Sequence, residues 1–464
     1  LPISGRRPGG ATLYSLPLTG GARPTRVAEG LGGTFRVTQD GSALFTYGFG
    51  PLRKIALPGG TVTELEVKAS YEVDLAEERR QAFDQAWRLI RDSFYDPNLH
   101  GTDWNAIRAR YRPIVDECTD IKDFHLLLTE MMGELNASHT GASMADSGPA
   151  RGGSGSDRDR NATTSLGLWF DWNDDGLRVT GVLRDGPADT DGSRIQPGEY
   201  VVALGGKDVG PTEGFIQSLA GLAGKPVELQ VNRRPTREGA RTVRLTPISR
   251  GQFSSLLYEH WVRGNAEMVD RLSQGRLAYL HIRAMDQPSL RRFQRELLTE
   301  AYDREGLVLD VRFNGGGRIH DELLGLLTRK VHVFETPRGG LKMTQPFGAF
   351  DRQMILLING FSFSDAEIFP NGFRANGLGK LVGVPTGGGV IGTGDVTLLD
   401  GLTRFRVPRT GWQTLDGRNL ENWGVPPDIH VELTPADYLA GRDPQLERAV
   451  RELLKQLKPR RASR

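Results

Sequence analysis

From residue 276 the chain alternates short apolar runs with stretches of helical period: RLAYLHI, QPSLRRFQRELLTEAY, GLVLDVR, IHDELLGLLTRK, QMILLI, DAEIFPNGFRANG and KLVGVP. Strands without polar alternation need cover on both faces, and parallel strands can be joined only by crossovers long enough to hold a helix. The pattern therefore predicts a parallel α/β domain over residues 276–435. An amphipathic helix, PQLERAVRELLKQL, and a basic tail, KPRRASR, complete a C-terminal segment at 436–464.

Upstream the pattern changes three times, and 464 residues leave room for about three domains of roughly 150 residues. Residues 1–70 read as β: two Leu-Pro-(Thr)-Gly-Gly turns flank FRVTQDGSALFTYG, which is two strands around an Asp-Gly turn. A propeller blade takes about 40 to 45 residues, so this segment is expected to be the remnant of a truncated propeller. Residues 71–145 are helical, with Phe83, Trp87, Ile90 and Phe94 on one face. The span 146–164 is rich in Gly, Ser, Asp and Arg and is expected to be a flexible linker. Residues 165–250 return to β, and GPADTDGSRIQPGEYVVALGGKDV within them resembles a PDZ domain, which takes peptide ends at a sheet edge. A connecting segment, 251–275, leads into the α/β domain. The fold class expected is thus α+β and multidomain.

A formal net charge of +2 is near balance, which marks the chain as neither a nucleic-acid nor a membrane binder. No apolar run approaches the about 18 to 20 residues that span a bilayer. The one cysteine, Cys118, cannot form an internal disulfide, suits a reducing compartment and reads as a packing residue. These features give a cytoplasmic expectation. No secretory signal is visible at the start, which is Leu1 rather than Met, as in a fragment or a processed form. No ATP-binding motif or His-Glu-x-x-His metal motif occurs, so no cofactor is expected.

Reactive residue types gather in loops at the ends of these elements. RFNGGG, Arg312 to Gly317, follows an apolar strand, and its glycines can turn sharply and expose amides to an oxyanion. NGFSFSDAEIFP puts Ser362, Ser364, Asp365 and Glu367 where a strand enters a helix. Helix capping is the first explanation of such residues; its rival is a nucleophilic serine, with the next amide free for an oxyanion. The stretch itself does not decide between the two serines. In NASHTG, His139 lies between Ser138 and Thr140, and an imidazole is the side chain suited to take a serine proton near neutrality. NLENWGVPPDI offers Glu421 to orient it.

Taken together, DVRFNGGG, NGFSFSDAEIFP, LENWGVPPDI, NASHTG and FYDPNLHGTDW resemble the C-terminal-processing (S41) serine peptidases, and within them the tricorn proteases. The resemblance covers nearly the whole chain. It implies a propeller piece, a helical catalytic half, a PDZ domain and a crotonase-like α/β catalytic half. It also implies Ser364 as nucleophile, His139 as general base, Ser138 and Glu421 orienting the imidazole, and an oxyanion hole from the Asp365 amide with Gly316 or Gly317. Peptide substrates and a closed homo-oligomer, often a hexamer, are implied too. Two other classes fit the domain series: an inactive PDZ scaffold and a crotonase-type lyase or hydratase. The extra glycine in PTGGGVIGTGD, where relatives often carry an aromatic, is expected to loosen a loop facing the substrate. Glu335 and Asp351, between the glycine turn and Ser364, are candidates for setting side-chain preference.

Overall fold

A computed structural model describes residues 11–16, 23–31, 33–47, 51–57, 59–66, 72–145, 164–173, 175–210 and 212–457. The glycine-rich span expected to be a linker, up to residue 163, and the basic tail from residue 458 lie outside the described residues. The chain divides into two units, Leu1–Leu75 and Ala76–Arg464.

In the first unit β1 (Ala11–Ser15) pairs antiparallel with β2 (Thr25–Leu31). A four-stranded antiparallel meander follows, β3 (Thr34–Val37), β4 (Ala43–Tyr47), β5 (Leu52–Ala56) and β6 (Val62–Leu65). The Asp-Gly turn joins β3 to β4, with Gly41 at φ +70° and Asp40 Oδ1 accepting the Ser42 amide. Ala28, Leu31, Leu44 and Ile55 form its small core.

The second unit begins with α1 (Leu75–Ser93), α2 (Trp104–Tyr111) and α3 (Ile121–Gly133), followed by β7 (Gly141–Met144). Asp103 and Asp120 cap α2 and α3 by accepting first-turn amides. A β domain follows: β8 (Leu168–Asn173), β9 (Gly176–Val182), β10 (Tyr200–Leu204), α4 (Thr212–Ser218), β11 (Val227–Asn232) and β12 (Arg241–Leu245). Its sheet runs β12-β11-β10-β9-β8 around a core of its own. The connecting segment is one long helix, α5 (Arg250–Ser273), capped by Ser249 and Gln252.

The predicted alternation then appears as β13 (Leu277–His281), α6 (Gln287–Thr299), β14 (Gly306–Asp310), α7 (His320–Leu327), the hairpin β15 (Val333–Glu335) and β16 (Met343–Gln345), β17 (Gln353–Ile358), α8 (Asp365–Ala375) and β18 (Gly379–Gly383). With β21 (Ile429–His430) they make a parallel sheet in the order β13-β14-β17-β18-β21. The C-terminal helix α9 (Pro444–Gln456) is no appendage. Its Leu446, Ala449, Val450 and Leu453 pack on Tyr279, Val308, Ile355 and Leu357 of the sheet.

One pairing brings the halves together. β19 (Ile391–Thr397) and β20 (Thr403–Gly411) form a hairpin, and β20 pairs with β7, so that Arg406 faces Gly141 and Thr403 faces Met144. Leu398, Phe405 and Val407 complete the core of α1–α3. The helical half therefore folds around strands contributed by the far end of the chain. His139, two residues before β7, is fixed relative to the α/β half by this ladder.

Candidate active site

Ser364 stands at the N-terminus of α8 with φ +58° and ψ −121°, in a backbone region that residues bearing a Cβ rarely adopt. At this sharp turn its Oγ meets the helical half. There His139, also left-handed at φ +57°, presents Nε2 at 3.0 Å from Ser364 Oγ. His139 Nδ1 lies 2.7 Å from Ser138 Oγ, which donates to Glu421 Oε2 at 2.9 Å. The direction of proton donation follows: Glu421 can only accept, so Ser138 accepts from Nδ1–H and Nε2 is free to accept from Ser364. Burial holds the His139 imidazole below its ordinary pKa, partly opposed by Glu421 and reinforced by Arg406.

Glu421 is buried and fully engaged. It accepts the Ser138 amide at 2.6 Å and the Val390 amide at 2.6 Å besides the Ser138 hydroxyl. Asn419 Oδ1 accepts the Glu421 amide, and Asn419 Nδ2 donates to Tyr95 Oη at 2.8 Å. Tyr95 in turn contacts His100 Nε2 at 2.5 Å. The FYDPNLHG stretch thereby buttresses the loop that carries Glu421.

The glycine turn packs against the serine. A Cβ on Gly316, which has φ +99°, would lie 2.6 Å from Ser364 Cβ and 3.1 Å from the Asp365 nitrogen, so only glycine fits. Asn314, fully buried, shapes the turn: its Oδ1 accepts the Gly316 amide at 2.9 Å and its Nδ2 donates to Ile282 O. Among the described residues, the amides of Gly317 and Asp365 have no acceptor. The Asp365 carboxylate accepts the Ile319 amide at 2.7 Å and the His320 amide at 3.1 Å, and also contacts His320 Nδ1. That carboxylate raises the His320 pKa above its ordinary value. Behind the turn, Arg312 is buried in ion pairs with Asp310 and Asp443 and fastens α9 to the RFNGGG segment.

A model of peptidase family S41 matches residues 276–431, one of the tricorn protease C1 domain matches 75–133, and one of the tricorn protease PDZ domain matches 180–250. Over its α/β region the chain is similar to peptidase family S41. Its domain series is that of the tricorn proteases. It is 34% identical over 444 residues to tricorn protease homolog 1 of Streptomyces coelicolor, covering 91% of this chain and 40% of that one. To the tricorn protease of Thermoplasma acidophilum it is 29% identical over 438 residues, covering 92% and 39%. A crystal structure of the tricorn protease superimposes with a TM-score of 0.74 at 27% identity, covering 94% of this chain and 42% of that one. The chain thus spans about two fifths of the length of the relatives it matches.

Against this S41 background, a second carboxylate that the sequence marked only as a helix-start residue holds the nucleophile turn in place. Glu367, fully buried, accepts the Ser364 amide at 3.1 Å and the Gly389 amide at 2.8 Å on one oxygen. Its other oxygen accepts the Gly388 amide and the Thr386 hydroxyl, both at 2.6 Å. Its spacing from Ser364 is that of a capping box, the only available signal in the sequence. The glycines it holds are not loosened as expected. Phe363 stacks on His139 with centroids 5.0 Å apart, and a Cβ on Gly389 would fall 2.2 Å from that Phe363 ring. Gly387 and Gly389 are glycines because the aromatic side chain occupies their space, whereas Gly388, at φ +79°, is crowded by the backbone of Trp423 and Gly424.

Ser362 is buried, not an exposed alternative nucleophile: its Oγ donates to Val311 O and accepts the Asn359 amide. Glu335 accepts from Gln345 across the β15–β16 hairpin, and Asp351 is exposed before β17; among the described contacts neither touches Ser364 or His139. Cys118 is buried, with Sγ 3.6 Å from Ile114 O. No helix among the described residues is long and apolar enough to cross a membrane.

Proposed function

We propose that the chain is a serine peptidase that cleaves short or unfolded peptides through an acyl-enzyme on Ser364. One observation carries the reading: Ser364 Oγ, His139, Ser138 and Glu421 form an unbroken hydrogen-bond series in which every donor has a suitable acceptor. As the peptide carbonyl is attacked, the Ser364 proton passes to His139 Nε2 and the new C–O bond leaves negative charge on the carbonyl oxygen. The imidazolium is stabilised through Ser138 by Glu421. The oxyanion is received by the amides of Asp365 and Gly317, the Gly316 amide being engaged by Asn314. Collapse expels the amine, which takes the proton from Nε2, and water repeats the sequence to release the acid.

Within this reading residues 71–145 with the β19–β20 hairpin are the helical catalytic half, 165–250 the PDZ domain and 276–435 the crotonase-like half. The β3–β6 sheet is the last blade of a propeller that longer relatives would carry. Peptides as the only partners besides further copies of the chain, a closed homo-oligomer such as a hexamer, and a cytoplasmic site of action belong to the same proposal; near-neutral charge and one cysteine are compatible with it. The test is hydrolysis of fluorogenic peptides by the purified chain. Activity is expected to vanish in Ser364→Ala and to fall by several orders of magnitude in His139→Ala. Equal turnover by the Ser364→Ala protein would reject the reading.

A further inference from the structure

Beside the nucleophile two phenylalanine rings face solvent. Phe313 is 50% exposed and Phe361 is 70% exposed, yet their rings stack with centroids 5.7 Å apart and planes inclined by 26°. Single exposed apolar side chains are ordinary on a protein surface; a contiguous exposed apolar pair marks a candidate binding surface. The pair is built. Asn359, itself buried, uses one side-chain oxygen to accept both the Phe313 amide at 3.0 Å and the Phe361 amide at 3.1 Å. Trp261 of α5 meets the Phe313 ring edge-on at 6.0 Å. Phe313 also adopts φ +63°, a left-handed conformation that disfavours a bulky side chain. Neither the strain nor the exposure helps folding, so a ring at this position points to recognition.

The location says what is recognised. Phe361 is three residues from Ser364 and Phe313 three from Gly316, so neither lies more than about 11 Å along the chain from the reacting centre. Phe363 N donates to Asn314 O at 2.9 Å, which ties the two ring-bearing segments together at the site. An extended peptide advances about 3.3 Å per residue, so its side chains within two or three positions of the reacting carbonyl reach the rings.

We propose that Phe313 and Phe361 form an apolar subsite that takes an aromatic or aliphatic side chain of the peptide substrate close to the bond cleaved. This rests on Ser364 being the nucleophile. The rings give area at little cost in side-chain freedom, because they stack on each other, Trp261 meets the Phe313 ring and Asn359 fixes the two backbones that carry them. Acidic or glycine residues at the same substrate position gain nothing from them.

The experiment compares the full chain with Phe361→Ser and Phe313→Asn, asparagine being tolerant of the left-handed backbone. Two fluorogenic peptide series are used, one scanning Phe or Leu through the positions flanking the bond and one scanning Gly or Ser. The ratio of kcat/KM for apolar over small residues is expected to fall roughly five- to thirty-fold in each variant, chiefly through KM. Melting temperature should be unchanged in Phe361→Ser and unchanged or higher in Phe313→Asn. Fluorophosphonate labelling of Ser364 is measured alongside. Normal labelling with an unaltered ratio overturns the subsite while leaving the peptidase reading intact, and absent labelling in the parent protein removes the reading on which it stands. A change of oligomeric state by light scattering, with the ratio unaltered, also overturns it and makes the rings a contact between copies.

Discussion

Glu367→Gln isolates the clamp that joins the nucleophile turn to the glycine loop. The carboxylate receives four donors, two on each oxygen: Ser364 N and Gly389 N on one, Gly388 N and Thr386 Oγ1 on the other. A glutamine amide supplies one accepting oxygen, so in either orientation its NH2 group meets two groups that were donating. Facing it toward Thr386 is the milder choice, since a hydroxyl can also accept. That hydroxyl, however, already accepts the Val425 amide at 2.7 Å, and the Gly388 amide is left unpaired; the opposite orientation instead takes the carboxylate oxygen from the Ser364 and Gly389 amides. A hydrogen bond to a charged group contributes about 1.5–3 kcal/mol, and an orphaned buried donor costs about 1–3 kcal/mol. Burial works the other way, because it penalises the carboxylate and raises the Glu367 pKa, a cost that the neutral amide avoids. The net expectation is a loss of about 2–4 kcal/mol. Activity should fall further than stability implies, because displacement of Gly389 moves Phe363 off His139 and strains the Val390–Glu421 contact. Denaturant midpoints followed by tryptophan fluorescence, with fluorophosphonate labelling rates below the transition, measure both. A variant with the parent midpoint and the parent labelling rate would show that the clamp does not hold the site.

Other outcomes follow from the same geometry. Activity should rise with pH as His139 loses its proton, and because burial lowers its pKa the midpoint should fall below the ordinary imidazole value of about 6.5; a midpoint above that value in a kcat/KM profile would contradict the burial argument. Ser362→Ala removes two buried hydrogen bonds and should cost about 1–3 kcal/mol by chemical denaturation while leaving Ser364 reactive toward the probe. His320 has a raised folded-state pKa, so its pairing with Asp365 stabilises fully below the unfolded pKa and is lost as pH rises through the folded value; His320→Gln should flatten that part of the stability profile. Replacing residues 165–248 by a short linker should leave a soluble core that still labels at Ser364, because the β domain has its own core and meets α5 through exposed pairs such as Arg184–Glu267 and Arg263–Asp185; an insoluble product would count against separability.

The parts legible in the sequence were those whose signal is local. The alternation of buried strands and amphipathic helices after residue 276 reappears as the parallel sheet, because each of those segments carries its own period. Ser364, His139 and Glu421 stood out by residue type and by resemblance, and their meeting depends on β7 pairing with β20, a contact that no local pattern encodes. Helix α5 was missed since only Asn265, Val269 and Ser273 are buried on it, too sparse a set for a periodic stripe, although Ser249 and Gln252 had the spacing of a cap. Gly387 and Gly389 were misread as slack because the Phe363 ring that excludes their side chains comes from another segment.

The central claim is that Ser364 is activated by His139. Its most direct measurement is mass-spectrometric mapping of the adduct formed by a fluorophosphonate probe. One covalent adduct on Ser364, formed faster as pH rises through the His139 titration and absent from His139→Ala, is the predicted result. An adduct on another residue, or a rate on Ser364 indifferent to the loss of His139, would contradict it.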